Sequence, residues 1–154
     1  MRRLLLSLAV ILLPTAAFAD TAWVAQMEED EGGPVMVASV EAAPVGDLTP
    51  RLRLMCGGDG EVGLRYEMAT DAGPEGSEAD FVFENEHDKA TLHMALEEMD
   101  GAYAAYFSET DPVIALLKTG EEVIVSESTG NFPAQTFTLT GSTKAIGKLL
   151  KSCN

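Results

Sequence analysis

The chain reads as a mainly β protein: an antiparallel β-sandwich or small barrel with two short helices, the C-terminal one tethered by a disulfide. Three observations predict this. Short segments of period-two alternation recur along the chain, separated by turns rich in glycine, proline and aspartate, as antiparallel strands require. The last seventeen residues change period. Phe137 and Leu139 alternate, Gly141 and Ser142 interrupt, and Ala145, Ile146, Leu149 and Leu150 fall at helical spacing. Finally, Cys56 and Cys153, the chain's two cysteines, close one alternating segment and that helix.

Residues 1–19 read as a signal peptide. Arg2 and Arg3 supply the basic start, Leu4 to Leu13 an apolar run broken only by Ser7, Pro14 a break, and Ala17-Phe18-Ala19 a small-x-small cleavage site. The run is short for a bilayer span. Cleavage is expected between Ala19 and Asp20, leaving residues 20–154 as a single β-rich domain. No cysteine lies near the cut to carry a lipid. The whole chain has a formal charge of −15, which loss of Arg2 and Arg3 makes two charges more negative. Such a surface repels nucleic acid and anionic headgroups, so its partners should be neutral, cationic, or a basic protein face. Two cysteines in an exported chain argue for one bond, Cys56–Cys153, closing a loop worth about 4–5 kcal/mol in the chain-entropy model.

Thr21 to Met27 is expected as the first strand, with Trp23, Ala25 and Met27 on one face. Glu28 to Pro34 then makes a long acidic turn, and Val35 to Val40 the second strand. Arg51 to Cys56 alternates cleanly, Leu52, Leu54 and Cys56 against Arg51, Arg53 and Met55. A turn at Gly57 to Gly60 leads into Glu61 to Met68, where Val62, Leu64, Tyr66 and Met68 share a face. Thr70 to Ala79 is a polar loop and Phe81 to Glu84 a strand; Leu92 to Leu96 fits a strand (Leu92, Met94, Leu96) or a helix (Leu92, Leu96, Met99) and is read as a strand because of the turn that follows. Asp100-Gly101 turns into a strand over Ala102 to Phe107. Asp111 caps a short helix with Pro112 in its first position and Gly120 past its end. Glu122 to Ser126 and Gln135 to Thr140 are the last strands, and Ser142 caps the closing helix. Lys144, Lys148 and Lys151 stand on that helix's outer side. They offset its dipole or, alternatively, form a docking face.

The candidate chemistry is sparse. Four consecutive carboxylates at Glu28 to Glu31 lack the alternating oxygens of a calcium loop. Gly58, Gly60 and Gly63 match a dinucleotide-binding glycine pattern, but a strand follows where a helix is needed to face the pyrophosphate. Glu84, Glu86, His87 and Asp88 are the densest group of metal-capable side chains. As a strand they would set His87 opposite the three carboxylates, and His93 would approach only through a turn. A solvated polar edge is the plainer alternative. No Gly-x-Ser-x-Gly elbow is present, and oxidised cysteines offer no thiolate.

Three stretches resemble a known group. Leu52-x-Leu54-x-Cys56, the helix and Gly120 leading into Glu122 to Ser126, and Phe137-x-Leu139-x-Gly141-x-x-x-Ala145-Ile146-x-x-Leu149-x-x-x-Cys153 are similar to small exported proteobacterial proteins. These are the invasion-associated locus B family and the accessory periplasmic proteins of type VI secretion loci. The resemblance implies a compact β-sandwich with a C-terminal helix and an accessory or stress-related role. Met68 to Thr110 lies outside it, and it carries over no functional site.

The expectation is a non-enzymatic periplasmic accessory or binding protein acting on other cell-envelope components, with secretion beyond the periplasm as a variant. No cofactor, nucleic-acid partner or membrane insertion after cleavage is expected. The alternative is a small metal-binding protein or hydrolase using Glu84 to Asp88.

Overall fold

The computed structural model describes residues 21–30, 32–68, 77–130 and 132–153. The expected signal segment, the expected Ala19–Asp20 cleavage junction and most of the expected loop after Met68 lie outside them. Nine strands form one antiparallel sheet: β1 (Val24–Asp30), β2 (Gly33–Glu41), β3 (Arg51–Cys56), β4 (Glu61–Glu67), β5 (Glu78–Glu84), β6 (Lys89–Glu97), β7 (Ala102–Ser108), β8 (Glu122–Glu127) and β9 (Gln135–Thr138). Helix α1 (Pro112–Leu116) lies between β7 and β8, and α2 (Ser142–Leu150) closes the chain. Spatial order is β1-β2-β3-β4-β7-β6-β5-β8-β9.

The sheet rolls on itself. β4 and β9 are five places apart in that order, which in a flat sheet is roughly 24 Å. Yet the rings of Tyr66 on β4 and Phe137 on β9 meet edge-on with centroids 6.1 Å apart. Tyr66 also meets Phe81 at 5.4 Å, and Phe81 meets Tyr103 at 5.1 Å. These rings occupy the interior with Leu52, Leu54, Leu64 and Met94. Burial pushes the Tyr66 hydroxyl well above its ordinary pKa, so it stays protonated. At the seam, the Trp23 amide donates to the Thr140 carbonyl at 2.9 Å, and its indole N–H donates to the Thr138 carbonyl at 2.9 Å. The expected sandwich or small barrel is therefore present, in its rolled form.

Local chemistry accounts for most elements. Register pairs Ala38, Leu54, Leu64 and Ala105 across four strands on the inner face, as their alternation requires. Asp111 caps α1 by accepting the Val113 amide at 3.0 Å, with Pro112 in the first turn. Gly101 takes φ +61° in the β6–β7 turn, a conformation that costs a side chain.

Four expectations change. The acidic turn is shorter, because β1 runs on to Asp30 and β2 begins at Gly33, leaving a two-residue connection. Met27 is 55% exposed although it alternates with buried Trp23, since β1 runs past the core. The last strand ends at Thr138, where the seam to Trp23 takes over the backbone bonds. The cap of α2 is Gly141, at φ +80°, and Ser142 is buried as the first helical residue. Gly141 is required twice over, since an added Cβ would also stand 3.2 Å from the Trp23 carbonyl.

Ala145, Ile146 and Leu149 bury one stripe of α2 against the sheet, where the helix packs on β1, β2 and β3. Cys56 and Cys153 are bonded, with Cα atoms 5.2 Å apart and a separation of 97 positions in sequence. The disulfide fastens the end of α2 to the end of β3. Among the described residues no helix is long and apolar enough to cross a membrane.

Candidate functional site

The Glu84–Asp88 cluster is a turn, and that decides what its side chains do. Glu84 ends β5 and faces Lys89, the first residue of β6, at 3.1 Å. Asn85, between them in sequence, organises the turn. Its side-chain oxygen accepts the His87 and Asp88 amides at 2.8 and 2.7 Å, and its side-chain nitrogen donates to the Leu116 and Thr119 carbonyls, each at 3.0 Å. The turn thus closes the C-terminal end of α1. Glu86 accepts the Glu121 amide at 3.0 Å and packs on Gly120, where an added Cβ would fall 2.6 Å from its carboxylate. His87 reaches only Glu86, at 3.5 Å, and Asp88 points to solvent. Strand geometry, which would have lined up Glu84, Glu86 and Asp88, is absent. Among the described residues no three histidine, cysteine or carboxylate side chains converge on a metal position.

His93 is held elsewhere. On the outer face of β6 its ring stands 2.7 Å from Asp80 and 3.4 Å from Glu78, both on β5. Hydrogen bonding to Asp80, then to Glu78, raises its pKa above the ordinary value. The glycine pattern serves packing. Gly60 takes φ +80° before β4, and Gly63 lies in β4 beneath the Tyr106 ring, which an added Cβ would meet at 2.9 Å.

Two further groups take shape only in the folded chain. The first is an ionic layer on the outer face of β1 to β4. Glu28 holds Arg51 at 2.9 Å through one oxygen and Arg53 at 2.6 Å through the other. Arg53 reaches Glu67 at 3.4 Å, and Arg51 donates to the Ser39 hydroxyl at 3.2 Å. Further along, Arg65 lies 2.6 Å from Glu97 without hydrogen-bond alignment and 3.2 Å from Asp100. Beneath these charges Val37, Met55, Ala102 and Ala104 are buried on the face opposite the core, covered by arginine stems. Burial alone would push the Glu28 carboxyl up. The Gln26 amide, Arg53 and Arg51 outweigh it and hold its pKa below the ordinary 4.5. Arginines at alternate positions of one strand were the available signal, since a half-buried guanidinium needs a carboxylate.

The second is a groove of about 470 Å³ beside the seam, between β1 and α2, lined by Trp23, Val24, Ala25, Gly141, Lys144, Ala145 and Lys148. Among the described residues β1 and β9 end the strand order, so each has one edge with no strand paired to it. Because the Trp23 amide points to Thr140, alternation aims the backbone groups of Ala25 and Met27 out of the same edge. Lys148 reaches across the groove and donates to the Ala25 carbonyl at 3.0 Å. Trp23 is the chain's one tryptophan and forms the groove's inner wall.

No protein-family model, curated protein or solved structure matches this chain.

Proposed function

We propose that this chain is exported to the periplasm and serves there as a non-enzymatic accessory domain that binds other envelope components. The Cys56–Cys153 bond carries this reading. Structural disulfides persist in oxidising compartments and are rare where thiols are kept reduced. The leader-like first nineteen residues and the formal charge of −15 support the same reading. Charge of one sign over a small domain favours selective, salt-sensitive encounters with basic or neutral protein faces.

The test has two arms. Cell fractionation should recover the protein, with Asp20 at its N-terminus and no free thiol, in the periplasmic fraction. Chemical crosslinking in intact cells should then give a reproducible adduct with an envelope protein. Recovery from the cytoplasm with reduced cysteines, or a periplasmic protein that forms no adduct, would sink the proposal.

A further inference from the structure

We infer that the open edge of β1 beside α2 is a strand-docking site for an extended peptide segment bearing carboxylates. The inference deepens the accessory reading and rests on it for the biological setting; the net charge favours basic or neutral faces, but at this groove Lys144 and Lys148 reverse the sign locally. An unpaired strand edge offers backbone donors and acceptors at every second residue, which an added strand satisfies. Here the Ala25 and Met27 backbones supply them. Val24 and Met27, 48% and 55% exposed, put apolar surface at the same edge.

The charge pattern selects the occupant. Arg51, Arg53, Arg65 and Lys89 are each paired with carboxylates. Lys118 and, on or just past α2, Lys144, Lys148 and Lys151 have no carboxylate ion pair among the described residues, on a chain with 25 acidic residues against 10 basic ones. Two of them line the groove. Lys148 covers the Ala25 carbonyl now. An incoming strand would take that carbonyl with an amide and offer the ammonium a carboxylate instead, a stronger, charge-assisted partner. Glu29 and Asp30 stand at the far end of β1. They repel carboxylates there and place the acidic part of the ligand against Trp23 and Lys144. A second copy of β1 running antiparallel would likewise set its Glu29 against these lysines, so self-association is the competing outcome of the test.

The test uses the purified, disulfide-bonded protein and three capped five-residue probes: alternating glutamate and valine, alternating lysine and valine, and the acidic peptide with its central residue changed to proline. Trp23 fluorescence and the amide resonances of Ala25 and Met27 report docking. The acidic probe is expected to shift all three signals, with binding lost at high salt. The basic and proline probes, and the acidic probe on the K144E/K148E variant, should bind about tenfold or more weakly. Met27→Pro removes one outward amide without touching the β1–β2 ladder, and should weaken the acidic probe similarly. Should that variant not fold, the lysine reversals decide alone. Equal binding of all probes, no response at Trp23, or concentration-dependent dimerisation that the probes do not compete with would overturn the site. A failed peptide titration leaves the crosslinking test of the accessory role free to succeed through another face, so the two failures can be told apart.

Discussion

Two acidic stretches of similar composition meet opposite fates in this molecule. Glu28, Glu29 and Asp30 read as a solvated turn, and Glu84 to Asp88 as the densest group of metal-capable side chains. In the structure the first is the end of a strand, and Glu28 is the hub of an ionic layer with Arg51 and Arg53. The second is a turn whose polar groups are spent on backbone amides and on the end of α1. Density of carboxylates therefore says little about a site. What matters is whether neighbouring strands bring cations or amides to them.

Single substitutions probe the contrast. The largest expected effect comes from Cys153→Ser. Cys56 ends β3, the strand that carries Arg51 and Arg53, so losing the bond loosens the frame of the first stretch. Opening a loop of this length should cost about 4–5 kcal/mol; chemical denaturation of oxidised and variant protein measures it, and equal midpoints would show that the crosslink does not support the fold. Glu28→Ala leaves two half-buried arginines without their shared carboxylate and should cost about 2 kcal/mol, between the exposed and buried limits for ion pairs.

Gly120→Ala should cost about 1–2 kcal/mol by thermal melting, since φ is +88° and the new methyl displaces Glu86. Glu86→Ala, losing one exposed bond to the Glu121 amide, should cost about 0.5–1 kcal/mol. His87→Ala and Asp88→Ala should each stay within about 0.5 kcal/mol. If the reading of the turn is right, calorimetric titration of zinc into wild type and the Glu86/His87/Asp88 triple variant should give indistinguishable traces. A heat present in wild type and lost in the variant would revive the metal site.

Acid sharpens the contrast between the stretches. The Glu28 pKa is lower in the folded protein than its ordinary 4.5, so the folded state gains from its ionised form above that pH. The gain is lost as pH falls through the folded value. The stability advantage of wild type over Glu28→Gln should therefore be full near neutrality and shrink below about pH 4.5. An advantage that stays constant into acid would mean that charge on Glu28 does not hold the layer together.

Much of the fold was legible beforehand. Arg51 to Cys56 is a strand with the expected bounds, because clean alternation between turn residues leaves no competing period. Asp111-Pro112 starts α1 as read, since cap and fixed φ act within three residues. The Leu92–Leu96 ambiguity resolves to strand because β5 offers seven partners to β6, a factor that no window of sequence contains. Gly141 takes the cap position that local sequence assigns to Ser142, because the chain reverses sharply at the seam with a positive φ that glycine accommodates without strain.

The linear order of residues was enough to set the periods, the turn positions, the cap of α1 and the cysteine pair, since each depends on groups close in the chain or on there being one possible partner. Folding in three dimensions supplied what depends on distant neighbours. Alternation assigns a side chain to a face but does not choose the strand beside it. So the β4–β7 and β5–β8 pairings, the closure at Trp23 and Thr140, the capture of two arginines by Glu28 and the lysine-lined edge of β1 all emerge when the sheet rolls shut. The physical reason is range: backbone torsions and caps act over a few residues, whereas packing and ion pairing act between whatever segments the rolled sheet brings together.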